Sequence, residues 1–249
     1  MNHQDFQKAY NELEVKMRDL AKKDDEIFIP FIVPYSPVDY IFICMEPSFG
    51  PWAKNREDAE NKLRDGHINF LDGYNAMILH YAIRNYLCKN GQSYYITDLA
   101  KGSMLVKDAN VNRIARYKNW YPILLEEINL VGTTDVKVFT VGTAVTSFIE
   151  SQDFSRKITP LIHYSQVAVR HWDKIAQQHK ESFETFQNTV SHEDILNNAE
   201  DVIKSAGVSN IIRDRILSNL GKGSLTLPRL KLMFNYKVSF ESVASKSKE

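Results

Sequence analysis

The strongest constraint on the fold is an alternation of pattern. Four short apolar runs, at residues 40–45, 94–99, 136–141 and 158–162, are separated by longer segments whose apolar residues recur at helical spacing. Strands alternating with helices read as βαβ units, whose consecutive strands lie parallel in a sheet covered on both faces. The intervening helices are predicted over 70–87, 117–130, 144–150 and 167–188. An amphipathic helix over 3–23 precedes them, with Phe6, Tyr10, Leu13, Met17 and Leu20 as its apolar stripe. Residues 27–37 carry Pro30, Pro34 and Pro37 and read as an extended connector. The predicted fold class is α/β, a three-layer α/β/α arrangement with a four-stranded parallel sheet.

Beyond residue 190 the pattern changes to short helices, one around Ile195–Ile203 and one around Ile211–Leu220, closed by Gly221 and Gly223. Residues 225–240 fit a short helix or a strand equally well. The predicted organisation is an α/β domain over 1–189 and a helical C-terminal extension over 190–249. The extension is basic: from Lys204 onward nine lysines and arginines stand against three acids, a surplus of +6, although the whole chain balances 31 basic against 31 acidic residues. Such a segment can supply phosphate contacts, and equally can be a solvated helix face.

Composition excludes several classes. With 43% hydrophobic residues over 249 positions the chain can bury a sizeable core, and no apolar run reaches the roughly 18 residues of a membrane span. The first residues mix charges without an apolar block, so no secretory signal and a cytoplasmic or nuclear address are expected. Cys44 and Cys88 are too few for a disulfide framework or a four-cysteine metal site. His171, His179 and His192 lack a completing ligand, so neither metal nor cofactor is expected. Gly221-Lys222-Gly223-Ser224 lacks the strand and spacing of a phosphate loop and reads as a helix stop. Trp120 and Trp172 fall at core positions.

In an open parallel sheet ligands bind outside the carboxyl ends of the strands. Those ends read Cys44-Met45-Glu46-Pro47-Ser48, Thr97-Asp98-Leu99-Ala100-Lys101, Gly142-Thr143-Ala144 and His163-Tyr164-Ser165. Two carboxyl groups, a histidine and several hydroxyls are therefore expected around one crevice.

This set, in this order, resembles the uracil-DNA glycosylase superfamily over residues 38–172. Glu46-Pro47-Ser48 resembles its first strand-end motif, and Gly66-His67-Ile68-Asn69-Phe70 is similar to the loop whose aromatic stacks on an extruded base. The strand ending in Asp98 resembles the base-reading strand, with Asp98 in place of the usual Asn. His163-Tyr164-Ser165 resembles the His-Pro-Ser loop. Cys44 and Tyr164 depart from the family's glycine and proline.

The resemblance implies a monofunctional glycosylase acting on DNA, with Glu46 and His163 catalytic. It implies base contacts from Phe70, Asp98 and Ser48, and phosphate or wedge contacts from Ser165, Val167 and Lys101. Glu46 would stabilise the cationic sugar and orient water, while His163 would hydrogen-bond the departing base. A carboxylate at Asp98 accepts only, which favours an exocyclic amine, and Ser48 leaves room at C5. A C5-modified cytosine, as in phage DNA, is the expected substrate, which would make the protein an antiviral glycosylase. Uracil or mismatch glycosylase, nucleoside hydrolase and catalytically silent DNA-binding relative are the alternatives. Taken singly, each residue has a plainer reading: Glu46 as a turn residue, Asp98 as a buried acid paired with Lys101 or a helix cap, His163 as a structural histidine and Phe70 as core.

Overall fold

The computed structural model describes residues 2–47, 49, 52–88, 91–165 and 168–245. Packing groups the chain into two compact units, Met1–Asn69 with Ser93–Pro160, and Phe70–Gln92 with Leu161–Glu249.

The first unit opens with α1 (His3–Lys23), started by the Asn2 side chain accepting from the Asp5 N–H and ended with Lys22 and Lys23 at the negative end of its dipole. Its buried face is Phe6, Tyr10, Leu13, Met17 and Ala21, and it packs on α5 (Arg113–Val131). The proline-bearing connector contributes a two-residue strand, β1 (Ile27–Phe28), antiparallel to β4 (Gly102–Ser103). Pairing of residues so distant in sequence leaves no periodic trace.

The sheet comprises β2 (Val38–Cys44), β3 (Tyr94–Asp98), β5 (Gly132–Val141) and β6 (Ile158–Leu161) in the order β3-β2-β5-β6. It is the four-stranded parallel sheet expected, flanked by helices. Ile41–Cys44 is buried at every position, as befits a strand covered on both faces. β2 pairs with β3 from Tyr40↔Tyr94 to Cys44↔Asp98, and with β5 through Phe42↔Phe139, whose rings stack at 4.7 Å. β2 and β3 therefore end level, and the ladder runs on as Leu99 N–H donates to the Cys44 carbonyl and Ala100 N–H to that of Met45. Also in this unit are α2 (Arg56–Arg64), α4 (Val106–Val111) and α6 (Thr143–Glu150).

The second unit is helical. α3 (Tyr74–Ala82) runs into a π-helical turn at Ile83–Leu87, and the helix begins four residues later than the predicted Phe70. The long helix predicted over 167–188 is two, α7 (Val169–Gln178) and α8 (Lys180–Phe186), because His179 leaves helical geometry at φ −123° and ψ 48°. They are followed by α9 (His192–Ser205), α10 (Asn210–Gly221) and α11 (Leu227–Ser245). A capping box between Ser191 and Asp194 starts α9. The undecided segment is thus the helix α11, which packs on α3 and α7 and closes an aromatic cluster of Phe183, Phe186 and Phe234. Among the described residues no helix is long and apolar enough to cross a membrane.

Candidate functional site

Because β2 and β3 end level, the acids at their ends are close enough for the charge of Glu46 to act on Asp98. Asp98 is the last residue of β3, and Glu46 lies two positions past β2. The Glu46 side chain is 3% exposed and fully engaged: Arg113 donates to its Oε1 from Nε at 3.2 Å and Nη2 at 3.0 Å, and the Tyr117 hydroxyl donates to Oε2. Burial, then the Glu46 charge, push the Tyr117 hydroxyl above its usual range, which keeps it a donor. Both partners come from the first turns of α5, which starts at Arg113, four residues before the predicted start.

Asp98 is 3% exposed and its Oδ2 accepts from the Asn69 side-chain amide at 2.7 Å. Lys101 is not its ion-pair partner. Its ammonium pairs with Glu127 Oε2 at 2.6 Å, both side chains being 0% exposed, and donates to the Asp98 backbone carbonyl. Glu127 also accepts from Tyr95 at 2.8 Å and from Thr97 at 3.1 Å, and Tyr10 joins the chain through the Tyr95 hydroxyl. Lys101 is therefore no phosphate ligand: a wholly buried ammonium committed to an internal carboxylate meets no phosphate.

Charge accounting follows. Two other carboxyl groups, of Glu46 and Glu127, act on Asp98, and each is already paired with a cation: Glu46 with Arg113, Glu127 with Lys101. Burial chiefly, with the charges of Glu46 and Glu127, raises the Asp98 carboxyl from 3.8 to about 8, against the opposing pulls of Lys101 and Asn69. At pH 7 the acid form then outweighs the carboxylate by about ten to one. The expectation of an acceptor-only group is corrected: at neutral pH Asp98 carries a donor too.

The remaining described candidates belong to the second unit. Phe70 is 7% exposed and adopts φ +66°, a left-handed conformation an aromatic residue rarely takes. His80, buried in α3, hydrogen-bonds the Phe70 backbone, and burial lowers its imidazole to about 3, so it is neutral at physiological pH. His163 is half-buried, stacked on Tyr164 with ring centroids 4.8 Å apart, and its Nδ1 accepts from the Ser165 N–H at 2.9 Å. A neutral imidazole accepting at Nδ1 carries its proton on Nε2. The histidine loop is braced throughout: Tyr236 donates to the carbonyl of Ile162, Trp172 to that of His163 and Asn75 to that of Tyr164. Arg229 in turn holds Asn75 at 2.8 Å and lies over the Tyr74 ring at 4.3 Å. Ser48 and Val167 lie outside the described residues.

Glu46 and Asp98 are thus brought together, while Lys101 is committed to Glu127. Sequence reading missed Asn69, Arg113, Tyr117 and Glu127. Only Glu127, an acid within an apolar helical stretch, left a trace in the pattern. Trp120 and Trp172 are core, at 0% and 1% exposure. Among the described residues no group of three or more His, Cys, Asp or Glu side chains is placed to hold a metal ion.

Fold and site together define an α/β protein with two differently partnered buried acids at its sheet's carboxyl edge. A scan of protein-family models finds no match to the chain, and no curated protein matches it.

Proposed function

We propose that this protein is a DNA glycosylase, hydrolysing the N-glycosidic bond of a base flipped out of the duplex. The observation that carries the reading is the pair Glu46 and Asp98, adjacent, buried and set apart electrostatically: one ion-paired with Arg113, the other raised to about 8. Paired acids whose environments drive their protonation apart are the arrangement that glycosidic hydrolysis uses. As the bond breaks, its electron pair leaves with the base and the sugar C1′ becomes cationic. Glu46 stabilises that charge and orients the water that attacks C1′, and the proton the water loses ends on the departed base anion. Asp98 hydrogen-bonds the base. The proposed substrate is a pyrimidine, with C5-substituted cytosine the first choice and uracil the alternative.

One observation favours a second reading. Both oxygens of Glu46 already have partners, as suits a structural acid in a catalytically silent DNA-binding relative.

The test is incubation with DNA duplexes bearing uracil, hypoxanthine, cytosine, hydroxymethylcytosine or its glucosylated form, with mass spectrometry of released bases. Glu46→Gln is expected to reduce turnover by about 10²- to 10⁴-fold while DNA affinity stays within about twofold. No base released from any duplex, with DNA still bound, establishes the silent binder. A fully active Glu46→Gln variant removes Glu46 from the chemistry.

A further inference from the structure

The carboxyl group of Asp98 is pinned in a way that assigns its two oxygens. Asn69 Nδ2 donates to Oδ2 at 2.7 Å, so in the acid form Oδ2 is the carbonyl-type acceptor and Oδ1 carries the proton. The groups that face it are Lys101 from the loop after β3, Glu46 from the end of β2 with Arg113 held upon it, Glu127 and Tyr117 from α5, and Asn69 itself. The cations among them are spent elsewhere, Arg113 on Glu46 at 3.0 Å and Lys101 on Glu127 at 2.6 Å. The hydroxyls of Tyr95 and Thr97 point at Glu127, which anchors Lys101 there.

We infer that Asp98 takes its ligand as a neutral carboxylic acid, presenting a donor and an acceptor side by side to a pyrimidine edge that offers an acceptor and a donor. The inference rests on the glycosylase reading and sharpens its substrate class. A uracil-type edge offers O4 and N3–H; a cytosine-type edge offers N3 and an N4 amine. Each satisfies the acid in one of two orientations. An ionised carboxylate would set a lone pair against O4 or N3 in both cases, so capture of either base depends on the proton. A methyl group on N3 removes the match for both, whereas a group on C5 lies away from this edge.

The experiment joins a direct titration to an activity profile. Protein labelled with ¹³C at the aspartate Cγ is titrated from pH 5 to 10, with Asp98→Asn identifying the signal. The kcat/KM of base release from duplexes containing uracil, hydroxymethylcytosine or 3-methyluracil is measured at pH 7 and pH 9. The acid is expected to titrate near pH 8, and wild-type kcat/KM to fall about tenfold between pH 7 and 9, following the protonated fraction. Asp98→Asn, whose amide keeps donor and acceptor at every pH, is expected to show a flat profile over the same range, and 3-methyluracil to be refused. An Asp98 signal already ionised at pH 6, or parallel profiles in wild type and variant, overturns the inference while leaving the glycosylase reading in place. No base released at any pH overturns the glycosylase reading, and the base-edge role with it.

Discussion

Replacing Lys101 by methionine tests the charge accounting at its centre. The Lys101 ammonium and the Glu127 carboxylate meet at 2.6 Å with neither side chain exposed, so the variant leaves a buried carboxylate with hydroxyl partners only, Tyr95 and Thr97. Removing one member of a buried pair costs about 3–5 kcal/mol, a large share of the roughly 5–15 kcal/mol that holds a domain together. The cost is not the worth of the pair. It is the penalty on the charge left behind, so removing that charge as well should recover most of it. In Lys101→Met/Glu127→Gln the amide oxygen still accepts from the two hydroxyls, and stability is expected within about 1–2 kcal/mol of wild type. Urea denaturation followed by circular dichroism measures all three proteins. A single variant within about 1 kcal/mol of wild type at pH 8, or a double variant as unstable as the single, refutes the reasoning.

Two further variants can be measured in the same way. Gly102→Ala would place a Cβ 1.8 Å from Glu26 Oε2, forcing that carboxylate off Arg116 at 2.5 Å and off the Trp120 indole at 3.2 Å. A loss of about 3 kcal/mol or more is expected, and a thermal midpoint equal to wild type would count against it. Asp98, raised from 3.8 to about 8, contributes stability that is full below pH 3.8 and lost as pH rises through 8. Asp98→Asn lacks that loss, so its stability relative to wild type should climb between pH 4 and 8, by up to about 1.4 kcal/mol per pH unit. A difference between the two that does not change with pH would show that Asp98 ionises freely in the folded state.

The sequence by itself determined the sheet and the gathering of acids at its carboxyl edge. Apolar runs with helical spacing between them specified four parallel strands, because periodicity is a local property that each segment carries alone. The same logic placed Glu46 and Asp98 at neighbouring strand ends, and Trp120 and Trp172 in the core. What a charged residue does once buried is decided by its partners, and these are remote along the chain: Arg113 lies 67 residues from Glu46, and Asn69 lies 29 from Asp98. Lys101, three residues from Asp98, looked like that acid's partner or a phosphate ligand. The fold instead turned its ammonium to Glu127 and left Asp98 with no ion pair among the described residues. The left-handed backbone at Phe70, the break at His179 and the pairing of β1 with β4 were likewise settled by packing, since none of them changes the local pattern of apolar residues. The tertiary structure alone decided the protonation of Asp98, because it depends on which cations the surrounding acids claim within one desolvated volume, and no linear spacing records that.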